Sequence, residues 1–387
     1  MPRAIGNIPA SAIARPVNDQ QRRFFRSIPK AELHCHLLGT IRRATFEDLV
    51  RKHDAPVSSA ELDALYTRTS RPVGVLHALR ILERHVLKAP EDFRRITFEY
   101  LQDAASENVR HAEFFWNPTG TVRDAGLRYD RAQEGIVSGI HAAKRAFGIS
   151  AGLIPSIDRE ADGAAAIEVV EHVLAHRVPE VIGIGIDYRE TDRPPELFVE
   201  AYRLARSNGL KTTAHAGEFG TSWRNVATAV DVLGVDRIDH GYTVVDNPDL
   251  AARLAASGII FTIVPTNSYY LRTLSPERWA IDHPIRRMSE LGLKLHPNTD
   301  DPTLHNVSPA GTWEILYSHL GFDLAALRTM MTNGLAGAWI DDAKRGELER
   351  EWGATFDRLA VDFYSGGRPD RVSSMVDATV YNNTAHV

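Results

Sequence analysis

Eight short apolar runs, each ended by polar residues or glycine, constrain this chain more than any other feature. They fall at 31–37, 110–116, 149–157, 181–187, 211–215, 237–240, 259–264 and 293–297. Stretches of helical pattern separate them, and eight strands alternating with helices is the count of a (β/α)8 TIM barrel in the α/β class. The first interval is longer than the others, with helical patterns at 45–53, 58–66 and 75–87, then 91–107 after the Ala89-Pro90 turn. It reads as a helical insertion after the first strand. A chain of 387 residues is long for an ordinary domain but suits one barrel with insertions. The expected organisation is an N-terminal arm over 1–24, a single barrel domain over 25–365 and a tail over 366–387. No internal repeat or low-complexity tract interrupts it.

Placed on that frame, the polar residues gather at one end. His34, His36, Glu190, His215, His240 and Asp300 all lie at or just past the C-terminal end of an expected strand, where barrel enzymes carry their chemistry. His34 and His36 are spaced i, i+2, so on a strand they face the same way. With His215 and Asp300 they offer three nitrogens and a carboxylate, a set suited to Zn²⁺ with a further position left for water. A zinc there would bring the pKa of that water toward ~7. Glu218, three residues past His215, is placed to pass protons to a substrate and a leaving group. His240 is placed to orient the attacking water, and Asp301 to face the substrate. A second metal would call for a bridging ligand such as a modified lysine, and 181–187 has none at its end, so one Zn²⁺ per chain is expected. Cys35 alternates with the two histidines and therefore points away from them. Trp116, at the end of the second run, is a candidate for lining the substrate pocket.

Composition narrows the partners. The formal net charge is −5, which argues against a nucleic-acid binder held by a basic surface. No apolar run approaches the roughly 18 residues of a membrane span. With one cysteine there is no internal disulfide, and the N-terminus lacks the apolar core of a signal peptide, so a reducing, cytoplasmic setting is expected. Assembly into a homo-oligomer is left open.

Four blocks then coincide: 29–40 (PKAELHCHLLGT), 213–218 (TAHAGE), 237–241 (RIDHG) and 298–302 (NTDDP). In order and separation they resemble the signature blocks of the adenosine/adenine deaminase family of metal-dependent hydrolases. The resemblance covers about residues 25 to 365 and includes 185–187 (GID), 265–267 (PTN) and 283–285 (HPI). It implies a TIM-barrel zinc hydrolase that replaces an aromatic amine with oxygen and releases ammonia. It also implies His34, His36, His215 and Asp300 as ligands, Glu218 as proton shuttle, and His240 and Asp301 as catalytic partners. Two positions depart from the pattern. Where the family has an acid two residues after the second histidine, this chain has Leu38. Where it has a glycine after the GID segment, an ungapped alignment places Glu190. Both are therefore candidate substrate contacts. The leading expectation is a deaminase of an adenosine-like 6-aminopurine, with adenine, a modified nucleoside or nucleotide, or a pterin-type ring as alternatives. A barrel amidase or phosphoester hydrolase, or a non-catalytic binding protein, are the readings from other classes. The latter predicts the loss of a ligand or of Glu218, and neither is lost.

Overall fold

The computed structural model describes residues 14–67 and 74–364. Eight strands form one sheet whose order follows the chain: β1 Lys30–Glu32, β2 Val109–Trp116, β3 Ser150–Asp158, β4 Gly183–Asp187, β5 Lys211–Ala216, β6 Arg237–His240, β7 Ile260–Ile263 and β8 Lys294–Pro297. Every paired neighbour is parallel. Parallel neighbours need a crossover each, and helices supply it, so the sheet is covered outside and filled inside. Hence the strands read as nearly unbroken apolar runs: Phe114, Leu153, Ile184, Ile186, Ala214, Ile238 and Phe261 are all fully buried. The expected TIM barrel is the observed fold.

The seam between β8 and β1 is made differently from the other joints. β1 is short and ends at Glu32, well before the expected end at residue 37. Past it the chain stays extended and is stitched on both sides. The Cys35 carbonyl accepts from Phe115 N–H (2.8 Å), His36 N–H donates to the Asp300 carbonyl (2.8 Å), and Asp300 N–H donates to the His34 carbonyl (3.0 Å). Below that point side chains do the joining. Asn298 Oδ1 accepts from Leu33 N–H (2.7 Å), and Glu32 Oε1 accepts from Thr299 N–H (2.8 Å).

At the N-terminus, residues 19–24, assigned by the sequence to an arm, instead begin helix α1 (Asp19–Ser27). Asn18 and Gln21 form a capping box at its start. Phe24 packs edge-on to Phe356 and Phe363 of the last helix, with ring centroids 5.3 and 4.9 Å away. The rest of the expected arm before residue 14, and the tail, lie outside the described residues. The helical insertion is present as α2 (Arg43–Lys52), α3 (Ser59–Tyr66) and α4 (Val75–Ile81), followed by α5 (Pro90–Ser106). Helix α4 does not run straight to residue 87: it widens into a π turn over Leu82–Val86. The widening directs Glu83 inward, where it is 1% exposed. There it accepts from Tyr188 Oη (2.5 Å) and lies 3.1 Å from Arg80, which also donates to Asp158 (3.0 Å). Burial pushes the Glu83 carboxyl up to about 8, with Arg80 pulling the other way. This cluster pins the insertion across the ends of β3 and β4. Among the described residues no helix is long and apolar enough to cross a membrane.

Candidate active site

The C-terminal rim brings His34, His36, His215 and Asp300 together, with one ligand atom from each lying within 4.8 Å of the others. Three imidazole Nε2 atoms and one carboxylate oxygen converge. Asp300 Oδ1 is 3.3 Å from His34 Nε2 and 3.1 Å from His36 Nε2, and His36 Nε2 is 3.1 Å from His215 Nε2. The opposite ring nitrogens are each held from behind. His34 Nδ1 is 3.1 Å from Thr262 Oγ1, His36 Nδ1 is 3.5 Å from Asp187, and His215 Nδ1 is 3.4 Å from Asp239. Acceptors at Nδ1 keep the proton there and leave the Nε2 lone pairs free, the arrangement in which histidines bind a metal. In that tautomer two Nε2 atoms 3.1 Å apart would face each other with bare lone pairs, a pairing a cation relieves. The donor set therefore fits Zn²⁺ or a similar divalent ion.

Burial lowers the His36 imidazole, but Asp187 and Asp300 outweigh it and carry the ring well above its ordinary range, a positive charge that a bound cation would replace. Burial raises the Asp300 carboxyl, but hydrogen bonds and charge from His34 and His36 outweigh it and hold the group well below its usual range. Asp239 behaves alike: burial is overcome by His215 and His34, and the net shift is strongly downward. Its two oxygens accept from Thr213 Oγ1 (2.8 Å) and Thr262 Oγ1 (2.7 Å), so it stays a fixed buried anion beneath the histidines. Asp187 is held in turn by Asn117 Nδ2 (2.9 Å).

Glu218 borders the cluster. Its Oε1 accepts from Asn267 Nδ2 (3.0 Å), and its Oε2 lies 3.7 Å from His240 Nε2. Burial, and then repulsion from Asp300, push its carboxyl well above the ordinary glutamate range. His240 sits at φ 64 on the end of β6, and burial followed by repulsion from His34 and His215 keeps it neutral. Its Nδ1 is 3.2 Å from Tyr242 Oη, which itself donates to the Val264 carbonyl (2.9 Å) and accepts from Val264 N–H (3.0 Å). That network assigns the proton to Nδ1 and aims a bare Nε2 at the site. Asp301 is buried beside Gly39, where a Cβ would stand 1.9 Å from Asp301 Oδ1, so only glycine lets the 37–40 turn close on it.

A cavity of about 210 Å³ opens above these groups, lined by His36, His215, Glu218, Asp300 and Asp301 below and by Val75, Leu76, His77 and Leu79 of the insertion at the side. His305 also lines it. A wider hollow of about 890 Å³ lies at the opposite end of the barrel, against Lys211, Ile260 and Trp339. No metal-ligating cluster among the described residues lies there, and the chemistry belongs to the smaller cavity.

Three expected substrate contacts lie off this cavity. Leu38 is buried in the turn after His36 and packs into the core. Trp116 points outward among Phe93 and Tyr129 and donates to Thr121 Oγ1 (3.3 Å). Glu190 is 1% exposed and folded under the 215–218 turn, where it accepts from the Gly217 and Glu218 amides. Other residues that shape the site had no role assigned from sequence. Asp187, Asp239 and Asn267 stand inside the GID, RIDHG and PTN segments, and that placement beside the ligand blocks was a usable signal. Thr262 and Tyr242 carried no signal of their own.

An eight-stranded parallel barrel with three histidines, an aspartate and an adjacent buried glutamate on its C-terminal rim is the frame of a metal-dependent hydrolase. The adenosine deaminase family profile matches residues 29–352, and the chain belongs to that family. It is 58% identical to a zinc-bound amidohydrolase from Burkholderia ambifaria, over 93% of this chain and 99% of that one, with a TM-score of 0.92. It is 30% identical to an adenine deaminase from Arthrobacter aurescens, over 84% of this chain and 98% of that one, with a TM-score of 0.76. An adenine deaminase of Cupriavidus taiwanensis is 31% identical, over 84% of this chain and 92% of its own length.

Proposed function

We propose that this chain is a zinc-dependent hydrolytic deaminase of a 6-aminopurine, with an adenosine-like compound as its substrate. His34, His36, His215 and Asp300 would hold one Zn²⁺ per chain. When bound, that ion supplies Lewis acidity and makes water a competent nucleophile at neutral pH. The remaining work falls to this chain's own residues. Glu218, kept protonated by burial and by Asp300, gives its proton to the substrate ring, then takes one from the attacking water and passes it to the departing amine. His240 Nε2 accepts a hydrogen bond from the attacking water and holds it in line with the ring. Asp301, seated by Gly39, faces the ring and accepts from it. The C–N bond breaks, a C–O bond forms, and ammonia leaves with the 6-oxo product. The partner is a small purine-type molecule, with neither nucleic acid nor membrane engaged, and the setting is the cytoplasm.

The observation that carries this reading is the convergence of three Nε2 atoms and Asp300 Oδ1, each histidine braced at Nδ1, next to Glu218. The test is ammonia release by zinc-loaded protein from adenosine, deoxyadenosine, adenine, AMP, cyclic AMP, guanine and simple pterins, with Glu218→Ala as the blank. Turnover of any 6-aminopurine that vanishes in the blank supports the reading, and silence of the zinc-loaded wild type on all of them ends it. Free adenine is the second reading, favoured by the adenine deaminases among the relatives at 30–31% identity. A kcat/KM for adenine about tenfold above that for adenosine, a difference of ~1.4 kcal/mol, would select it.

A further inference from the structure

β5 ends at Ala216, and the two amides that follow have no strand to pair with. Two buried charges take up the slack. Glu190, three residues past the end of β4, accepts from Gly217 N–H (2.9 Å) and Asn225 Nδ2 (2.8 Å) at Oε1 and from Glu218 N–H (3.0 Å) at Oε2. Arg159, directly after β3, is fully buried, donates from Nη2 to the His215 carbonyl (2.8 Å) and brings Nη1 to 3.9 Å from Glu190 Oε1. Three of the four residues from 215 to 218 are thus gripped through their backbones. Gly217 sits at φ 69, and a Cβ there would come 2.4 Å from Thr243 Oγ1, so the turn has little room to adjust by itself.

The chemistry of the grip is specific. Two adjacent N–H groups and an amide NH₂ all point at one side chain, and only an acceptor-only group satisfies all three. A glutamine of the same shape would set its own NH₂ against at least one of them. Stability alone does not explain the arrangement, since a buried ion pair is commonly no more stabilising than packed apolar residues of equal volume. What the pair does fix is where Glu218 points, and Glu218 must stand beside Asn267 and His240 to move protons.

We propose that Glu190, backed by Arg159, is a positioning residue that sets the 215–218 turn, and with it the Glu218 carboxylate, without touching the substrate. The proposal rests on the deaminase reading above. Its test compares wild type, Glu190→Gln and Glu190→Asp, each zinc-loaded. Glu190→Asp keeps the charge opposite Arg159 while withdrawing the carboxylate from the amides, so it covers the case in which Glu190→Gln does not fold. Zinc per chain, kcat, KM and hydrogen exchange at the Gly217 and Glu218 amides are measured. The expected result is a kcat about 100-fold lower in Glu190→Gln and about tenfold lower in Glu190→Asp, the scale of an ångström misplacement of a catalytic group. KM and zinc content stay near wild type, and both amides exchange faster. A folded, zinc-loaded variant with kcat within about twofold of wild type overturns the proposal, as does a loss that follows zinc content or an unchanged amide exchange. If wild type is silent on every 6-aminopurine, the functional reading falls, and the amide exchange alone decides the role of Glu190.

Discussion

Asp239 never faces the cavity, yet it is the anion on which two of the converging histidines lean: it is fully buried, 3.4 Å from His215 Nδ1 and 3.9 Å from His34 Nδ1. An asparagine there keeps the volume and loses the charge. Asp239→Asn is expected to weaken zinc binding by about 10–100-fold, read by competition against a graded chelator, while leaving the fold intact. At this scale the sequence was most legible where a residue type is chemically unusual for its place. Two histidines, a third with a glutamate three residues on, and paired aspartates admit few other uses. It was least legible for Glu190. A carboxylate beside Arg189 and Asp192 has the look of a solvated loop, and nothing local says that two unpaired amides arriving from residues 217 and 218 will bury it.

Among the elements, the insertion that walls the cavity depends on one tight approach. Gly120, in the helix Pro118–Arg123, leaves room for Glu83: a Cβ there would lie 2.3 Å from Glu83 Oε2. Gly120→Ala must displace the carboxylate from Tyr188 and Arg80. It is expected to cost about 1–3 kcal/mol, visible as a lowered midpoint in denaturant with an unchanged slope. Strand positions were readable to within a few residues because a buried parallel strand is a short apolar run whatever its neighbours. The π turns at Leu82–Val86 and Ala229–Leu233 were not, since one extra residue in a turn shifts the apolar period without breaking it. β1 was read too long for a related reason. Residues 33–36 are buried and extended like a strand, but the backbone bonds at 34–36 go to Phe115 and Asp300 at isolated bridges, and Leu37 already turns into a 3-10 helix.

For the whole molecule, acid is the informative stress. His283 is fully buried between Tyr242, Tyr270 and Trp279, away from the metal ligands, and burial lowers its pKa to about 3. As pH falls below the ordinary value of 6.5, the unfolded chain takes up a proton that the folded chain refuses until about pH 3. Its contribution to stability is therefore whole above pH 6.5 and is lost as pH falls toward 3, at up to ~1.4 kcal/mol per pH unit. His283 also accepts from Ile285 N–H (3.3 Å) as the cap of a helix, a task asparagine performs well. His283→Asn should therefore flatten the stability profile between about pH 6.5 and 4.5 by nearly one proton, measured by urea unfolding at a series of pH values.

The seam between β8 and β1 bears on the order in which the molecule comes together. The four converging donors come from the stretch after the first strand, from the fifth strand and from the residues after the eighth, and the first and last of these are stitched to each other. Most of the barrel can be in place and still offer no complete set of donors. Contacts between the two ends of a chain are the costliest in loop entropy and are expected to form late. Capture of an ion at these donors would therefore mark a finished ring. A nascent or damaged chain that has not brought its first and last strands together would have no complete set of donors with which to hoard metal, and a chain holding an ion at these donors would have passed its own inspection.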